Sequence, residues 1–181
     1  MKIFTIHHVA SSGGSICSQF FAACSKSILI SEVYPKGKVI LKNSVGYSPG
    51  NPMALYLQNK GEDLSPKLKE RYFLRQLELI IEDAACSEKN LLIREHTHSC
   101  FPFKEKQQKR LGILDLLSTY EGEEILKERN LIIPQPLLTV RHPLDSFISS
   151  RKRNWHKNYS DDGSLDAYCR ALLNLYEVYS S

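Results

Sequence analysis

The sequence predicts a single domain of the α/β class, with helices in layers on both sides of a central parallel sheet. Three observations predict it. Short apolar runs alternate with segments of helical period along the whole chain, the order that builds a parallel sheet through crossover helices. Three of those runs end abruptly in polar residues, as inner strands do where they deliver side chains to the carboxyl edge of an open sheet. Finally, 181 residues with 42% hydrophobic content are enough for one ordinary core, so residues 1–181 are read as one domain.

Ile3, Phe4, Ile6 and Val9 make a first strand over 2–9, stopped by "ASSGGS". A helix follows from Ser15, its expected N-cap, to about Ser25, with Ile16, Phe20, Phe21 and Ala23 as its apolar stripe. "SILISEV" (27–33) is a second strand, ended before Pro35. Residues 36–62, broken by Gly46, Pro49, Gly50 and Pro52, read as a long loop. Ser65 and Pro66 then open a long helix to about Ser87, striped by Leu68, Tyr72, Leu77, Ile80, Ile81 and Ala84. "NLLIREH" (90–96) and "QPLLTVRHP" (135–143) share one design, an apolar strand with a polar end. Pro143 begins a helix to about Arg153, and "SLDAYCRALLNLYEVY" (164–179) is a last amphipathic helix capped by Ser164. The apolar helix stripes are read as core.

Composition excludes several function classes. Against 20 Asp and Glu stand 24 Lys and Arg, a net charge of only +4, too mild for bulk nucleic-acid binding. Cys17, Cys24, Cys86, Cys100 and Cys169 form no CxxC pair, which points to reduced thiols rather than a disulfide framework or metal ligands. "MKIFTIHHVA" is too short and polar for a secretory signal, and no run approaches the ~20 apolar residues of a membrane span. A soluble cytoplasmic protein is the expectation.

The three polar strand ends are Ser11 to Ser15, Arg94 to His98 and Arg141 to Ser149. A strand, a glycine turn and a helix N-terminus together make an anion site, because unpaired amides and the helix dipole point at one place. Ser11, Ser12, Gly13, Gly14, Ser15 and Ile16 are the candidate cradle. A guanidinium at a strand end can grip phosphate in bidentate fashion, and Arg141 stands at such an end.

Together these motifs resemble the sulfotransferases that use 3′-phosphoadenosine 5′-phosphosulfate, a branch of the P-loop fold. The family's first loop commonly reads Pro-Lys-Ser/Thr-Gly-Thr/Gly-Thr and wraps the 5′-phosphosulfate; here "ASSGGS" takes its place, with Gly13 and Ser15 matching and Ser11 at the lysine position. A family strand ends in Arg-x-Pro-x-Asp, with a serine eight residues after the arginine on the donor's 3′-phosphate. Arg141, Pro143, Asp145 and Ser149 fall in those positions. "IREHTH" aligns with a Lys-Thr-His strand end, which puts Arg94 in the lysine place and His96 in the place of the general base, with His98 competing. Other branches use a glutamate just after the second strand, where Glu32 stands.

The resemblance implies in-line sulfuryl transfer to a hydroxyl or amine of a small-molecule or glycan acceptor, without a metal and with no nucleic acid partner. The family fold continues past the last helix, so a truncated member is expected here. Two other functions remain open: a catalytically impaired relative that only binds, and a P-loop nucleotide kinase or NTPase, which needs a lysine between Gly14 and Ser15. "KEKQQKR" (104–110) and "RKRNWHK" (151–157) are read as solvated faces, and His7 and His8 as structural.

Overall fold

A computed structural model describes residues 1–9, 13–24, 26–33, 66–95, 112–132, 134–154 and 163–180. Four strands, β1 (Ile3–His8), β2 (Ser27–Val33), β3 (Asn90–Glu95) and β4 (Gln135–Thr139), form one sheet in the order β2-β3-β1-β4. Every pairing is parallel. Six helices surround it among the described residues: α1 (Gly14–Ala22), α2 (Pro66–Cys86), α3 (Ile113–Leu117), α4 (Tyr120–Lys127), α5 (Pro143–Lys152) and α6 (Leu165–Ser180). The sheet is therefore α/β with helices on both faces, in agreement with a three-layer arrangement. The long loop read over 36–62 lies outside the described residues.

Successive residues of a strand point to opposite faces, and the pairs His7/His8 and Arg94/Glu95 show which helices cover which face. His8 packs against Gly14 and Arg94 reaches Ser15, so α1 covers one side. His7 stacks on Tyr179 of α6, and Glu95 accepts from the Ile113 amide of α3, so those helices cover the other. The larger core lies on that second side, where Ile3, Leu91 and Ile93 of the sheet meet Leu74, Leu77 and Ile81 of α2 together with Ile113, Leu116, Ile125 and Leu126 of α3 and α4. Each such side chain contributes about 1.5–3 kcal/mol by leaving water. A smaller cluster of Val9, Phe147, Tyr168, Ala171 and Leu175 ties α5 and α6 to the strand ends. Pro136 in β4 fits an edge position, since proline cannot donate to a second neighbour.

Two expectations need correction. Gly13, not Ser15, is the N-cap of α1, and Ser15 stands inside the first turn. The α1 stripe is also reversed: its buried residues are Gly14 and Ser18, while Ile16 and Phe20 are 74% and 70% exposed. Small residues at helical spacing let this helix approach the sheet more closely than its large apolar residues would, and Ser18 satisfies its hydroxyl by donating to the Gly14 carbonyl at 2.6 Å. Helices α3 and α4 were not anticipated. They are short and held by local bonds: the Gly112 amide donates to Asp115 Oδ2 at 3.0 Å, and the Gly122 amide to the N-cap Thr119 Oγ1 at 3.2 Å.

Candidate functional site

The strand order brings the predicted strand ends to one rim. β1 lies between β3 and β4, with Ile6 beside Arg94 and His8 beside Thr139. α1, the helix that follows β1 in sequence, covers one face, and α3, the first described helix after β3, covers the other. Neighbouring strands whose connections part to opposite faces open a crevice at their carboxyl ends, where ligands of open α/β sheets bind.

Two glycines build the entrance of α1 for different reasons. Gly13 has φ 88° and ψ 7°, a left-handed conformation that L side chains rarely adopt. Gly14 has ordinary angles, but a Cβ there would overlap the His8 imidazole. The first intrahelical bond runs from the Cys17 amide to the Gly13 carbonyl at 3.0 Å, so the amides of Gly14, Ser15 and Ile16 have no acceptor within the helix. The N-cap provides no side-chain acceptor either. Ser15 and Ile16 are exposed at this positive helix end.

Arg94 meets Ser15 at that end. Arg94 is 6% exposed, and its Nη1 donates to Ser15 Oγ at 2.6 Å across 79 residues of sequence. Burial holds its pKa below the ordinary arginine value, because a charge removed from water loses hydration. An oxyanion arriving at the α1 terminus would offset that loss, since guanidinium, hydroxyl and backbone amides then act on one charge in a region of low dielectric.

The remaining candidates are placed as follows. Gly13, Gly14, Ser15 and Arg94 come together, and Ile16 follows them with its side chain in solvent. Arg141 stands exposed two residues past β4, and Pro143 is the first residue of α5. Ser149 is half-buried on α5. Glu32 belongs to β2 itself rather than to the turn after it, and its side chain lies outside the described residues. Ser11, Ser12, His96 and His98 lie outside them too. β3 ends at Glu95, one residue before His96. Among the described residues no group of three or more His, Cys, Asp or Glu could hold a metal ion, and no helix is long and apolar enough to cross a membrane.

A buried polar network behind this rim was missed in the sequence. His7 Nδ1 lies 3.0 Å from Glu95 Oε2, and His7 Nε2 lies 2.9 Å from Thr5 Oγ1. Glu95 Oε1 accepts from the Ile113 amide at 2.6 Å, and Tyr179 stacks on the His7 ring with centroids 3.9 Å apart while its hydroxyl donates to Glu95 Oε2 at 3.4 Å. With its proton on Nδ1, His7 donates to Glu95 Oε2 and accepts from the Thr5 hydroxyl at Nε2, an arrangement that satisfies every bond. The order hydroxyl, imidazole, carboxylate is that of a nucleophile relay. Thr5, His7 and Glu95 are nevertheless fully buried, so no substrate reaches Thr5 and the network is structural. The signal in the sequence was Glu95 itself, a charge inside a strand that is otherwise apolar.

Comparison with protein-family models, with curated proteins and with solved structures finds no match for this chain.

Proposed function

We propose that the chain is a sulfotransferase-like enzyme with a P-loop-like site, moving a sulfuryl group from 3′-phosphoadenosine 5′-phosphosulfate to a hydroxyl or amine of a small-molecule or glycan acceptor. The observation that carries this reading is the bond from Arg94 to Ser15. The first loop has Ser11 where the resembling family has lysine, and the buried guanidinium from the adjacent strand supplies a cation at the same helix terminus. The bound donor supplies the sulfuryl group: its sulfur gains a bond to the acceptor oxygen or nitrogen as its bond to the 5′-phosphate oxygen breaks. The amides of Gly14, Ser15 and Ile16 hold the phosphosulfate, and Arg94 offsets charge growing on the leaving phosphate oxygen. Arg141 and Ser149 take the 3′-phosphate. His96 accepts the acceptor proton, with Glu32 and His98 as the other candidate bases, a role worth ~10²–10⁴-fold in rate.

Titration calorimetry with 3′-phosphoadenosine 5′-phosphate tests the reading. Saturable binding that weakens at least about tenfold in Arg141→Ala supports it, that factor being the ~1.4 kcal/mol within reach of one charged hydrogen bond. Absence of binding at millimolar nucleotide, or equal binding by the variant, overturns it. Preference for ATP with Mg²⁺ would instead favour a nucleotide kinase.

A further inference from the structure

Beside the rim, between the ends of β1 and β4 and one face of α6, lies a solvent-open cavity of about 290 Å³. Val9, Leu138, Leu172 and Leu175 are among its walls, so its surface is almost wholly apolar. Arg141 also lines it, the one charged residue to do so among the described residues, and being exposed it stands at the mouth. An apolar chamber with a single well-placed charge is the usual design of a small-molecule site.

We infer that this cavity binds a small amphipathic monoanion, an alkyl or aryl body carrying one carboxylate, sulfate or phosphate group. The volume sets the size of the body: at roughly 30 Å³ per small group it holds about ten non-hydrogen atoms. The charge sets the head: Arg141 is the one charged residue of the lining among the described residues, its guanidinium can take two oxygens at once, and Thr139 and Tyr176 add hydroxyls to the same walls. The body enters toward Leu138 and Leu172, and the head remains at the rim. A fully ionic ligand gains nothing from the apolar walls, and a neutral hydrocarbon gains nothing from the charge at the mouth. This inference does not rest on the proposed transfer reaction. If Arg141 also serves the 3′-phosphate there, one guanidinium closes both sites, and the amphipathic anion displaces the nucleotide.

Octyl sulfate, 1-octanol and inorganic sulfate separate body from head. Calorimetry on the whole chain is expected to give octyl sulfate at least about tenfold tighter than either part, and Arg141→Ala to bring octyl sulfate to the level of octanol while leaving octanol unchanged. A variant that binds octyl sulfate as well as the parent overturns the inference. Cys169 gives a readout without substitution, because it lines the cavity and is half-buried. Saturating octyl sulfate is expected to slow N-ethylmaleimide modification of Cys169 at least fivefold, by peptide mass spectrometry, with Cys24 and Cys86, which do not line it, reacting as before. Unchanged modification of Cys169 overturns the inference. Neither measurement uses the nucleotide, so failure of 3′-phosphoadenosine 5′-phosphate to bind removes the proposed function and leaves this result standing.

Discussion

Arg94 and Ser15 are joined by a 2.6 Å hydrogen bond that links the end of β3 to the first turn of α1. The bond fixes the guanidinium beside the first turn of α1, so the proposed transfer would need little reorganisation as charge grows on the leaving oxygen. Removing one such preorganised donor costs roughly 10²–10³ in turnover. Arg94→Ala is therefore expected to lower kcat of the proposed sulfuryl transfer by about that factor. Arg94→Lys should recover part of it, because lysine restores the charge without the planar fork. Steady-state kinetics on purified variants checks both, and equal kcat in Arg94→Ala and the parent removes the residue from the reaction.

Gly13 and Gly14 are expected to fail differently when replaced by alanine. At Gly13 nothing lies within 4 Å of the new methyl, and the cost is the left-handed backbone alone, roughly 1–2 kcal/mol. At Gly14 the methyl meets the His8 ring, and overpacking of that kind costs about 1–3 kcal/mol. His8→Ala should relieve the second loss and not the first. A double-mutant cycle by urea denaturation reads the difference as a coupling between positions 14 and 8 that is absent between 13 and 8.

How much of this could be read in the sequence depended on how local each determinant was. β2, α2 and α6 rest on nearby signals, a β-branched run, a Ser-Pro start and a serine cap. In the structure β2 spans Ser27–Val33 and Ser164 Oγ accepts from the Ala167 amide at 3.1 Å. The orientation of α1 was not local: Ile16 and Phe20 suggest a buried stripe, and only the close approach of Gly14 to His8 turns them outward. Arg94 and Ser15 were each legible as strand-end residues, but their contact depends on β3 lying beside β1, which no short stretch encodes. The Glu95 network was hidden for the same reason, since its partners come from β1, α3 and α6.

Glu95 is the residue whose loss should cost most stability. Glu95→Ala leaves His7, the Ile113 amide and the Tyr179 hydroxyl without their common acceptor, and each buried donor left unsatisfied costs about 1–3 kcal/mol. Glu95→Gln keeps an acceptor for the Ile113 amide but turns an N–H toward His7. Its milder loss, about 1–2 kcal/mol as one buried bond is replaced, should come with a change of His7 tautomer. Nitrogen chemical shifts of His7 are expected to report a proton on Nδ1 in the parent and on Nε2 in Glu95→Gln. The same tautomer in both would remove the assigned direction of the Thr5, His7, Glu95 chain.

Tyr168 sets an alkaline limit on the packing of α5 against α6. Its side chain is fully buried, and its hydroxyl shares a 2.7 Å hydrogen bond with Ser146. Burial raises the phenol above its ordinary 10.0, and the Ser146 bond offsets only part of that rise. The folded chain therefore holds this proton more tightly than the unfolded chain does. Its contribution to stability is complete below pH 10.0 and falls as pH climbs from there through the raised folded value, because the unfolded chain gains by ionising first. Tyr168→Phe removes this slope and also leaves the Ser146 hydroxyl without its partner, at a cost of roughly 1–3 kcal/mol. Urea midpoints followed from pH 8 to pH 11 should show the variant below the parent at the lower end and the two curves converging at the upper. Parallel curves would mean that the phenol ionises as readily in the folded chain as in the unfolded one.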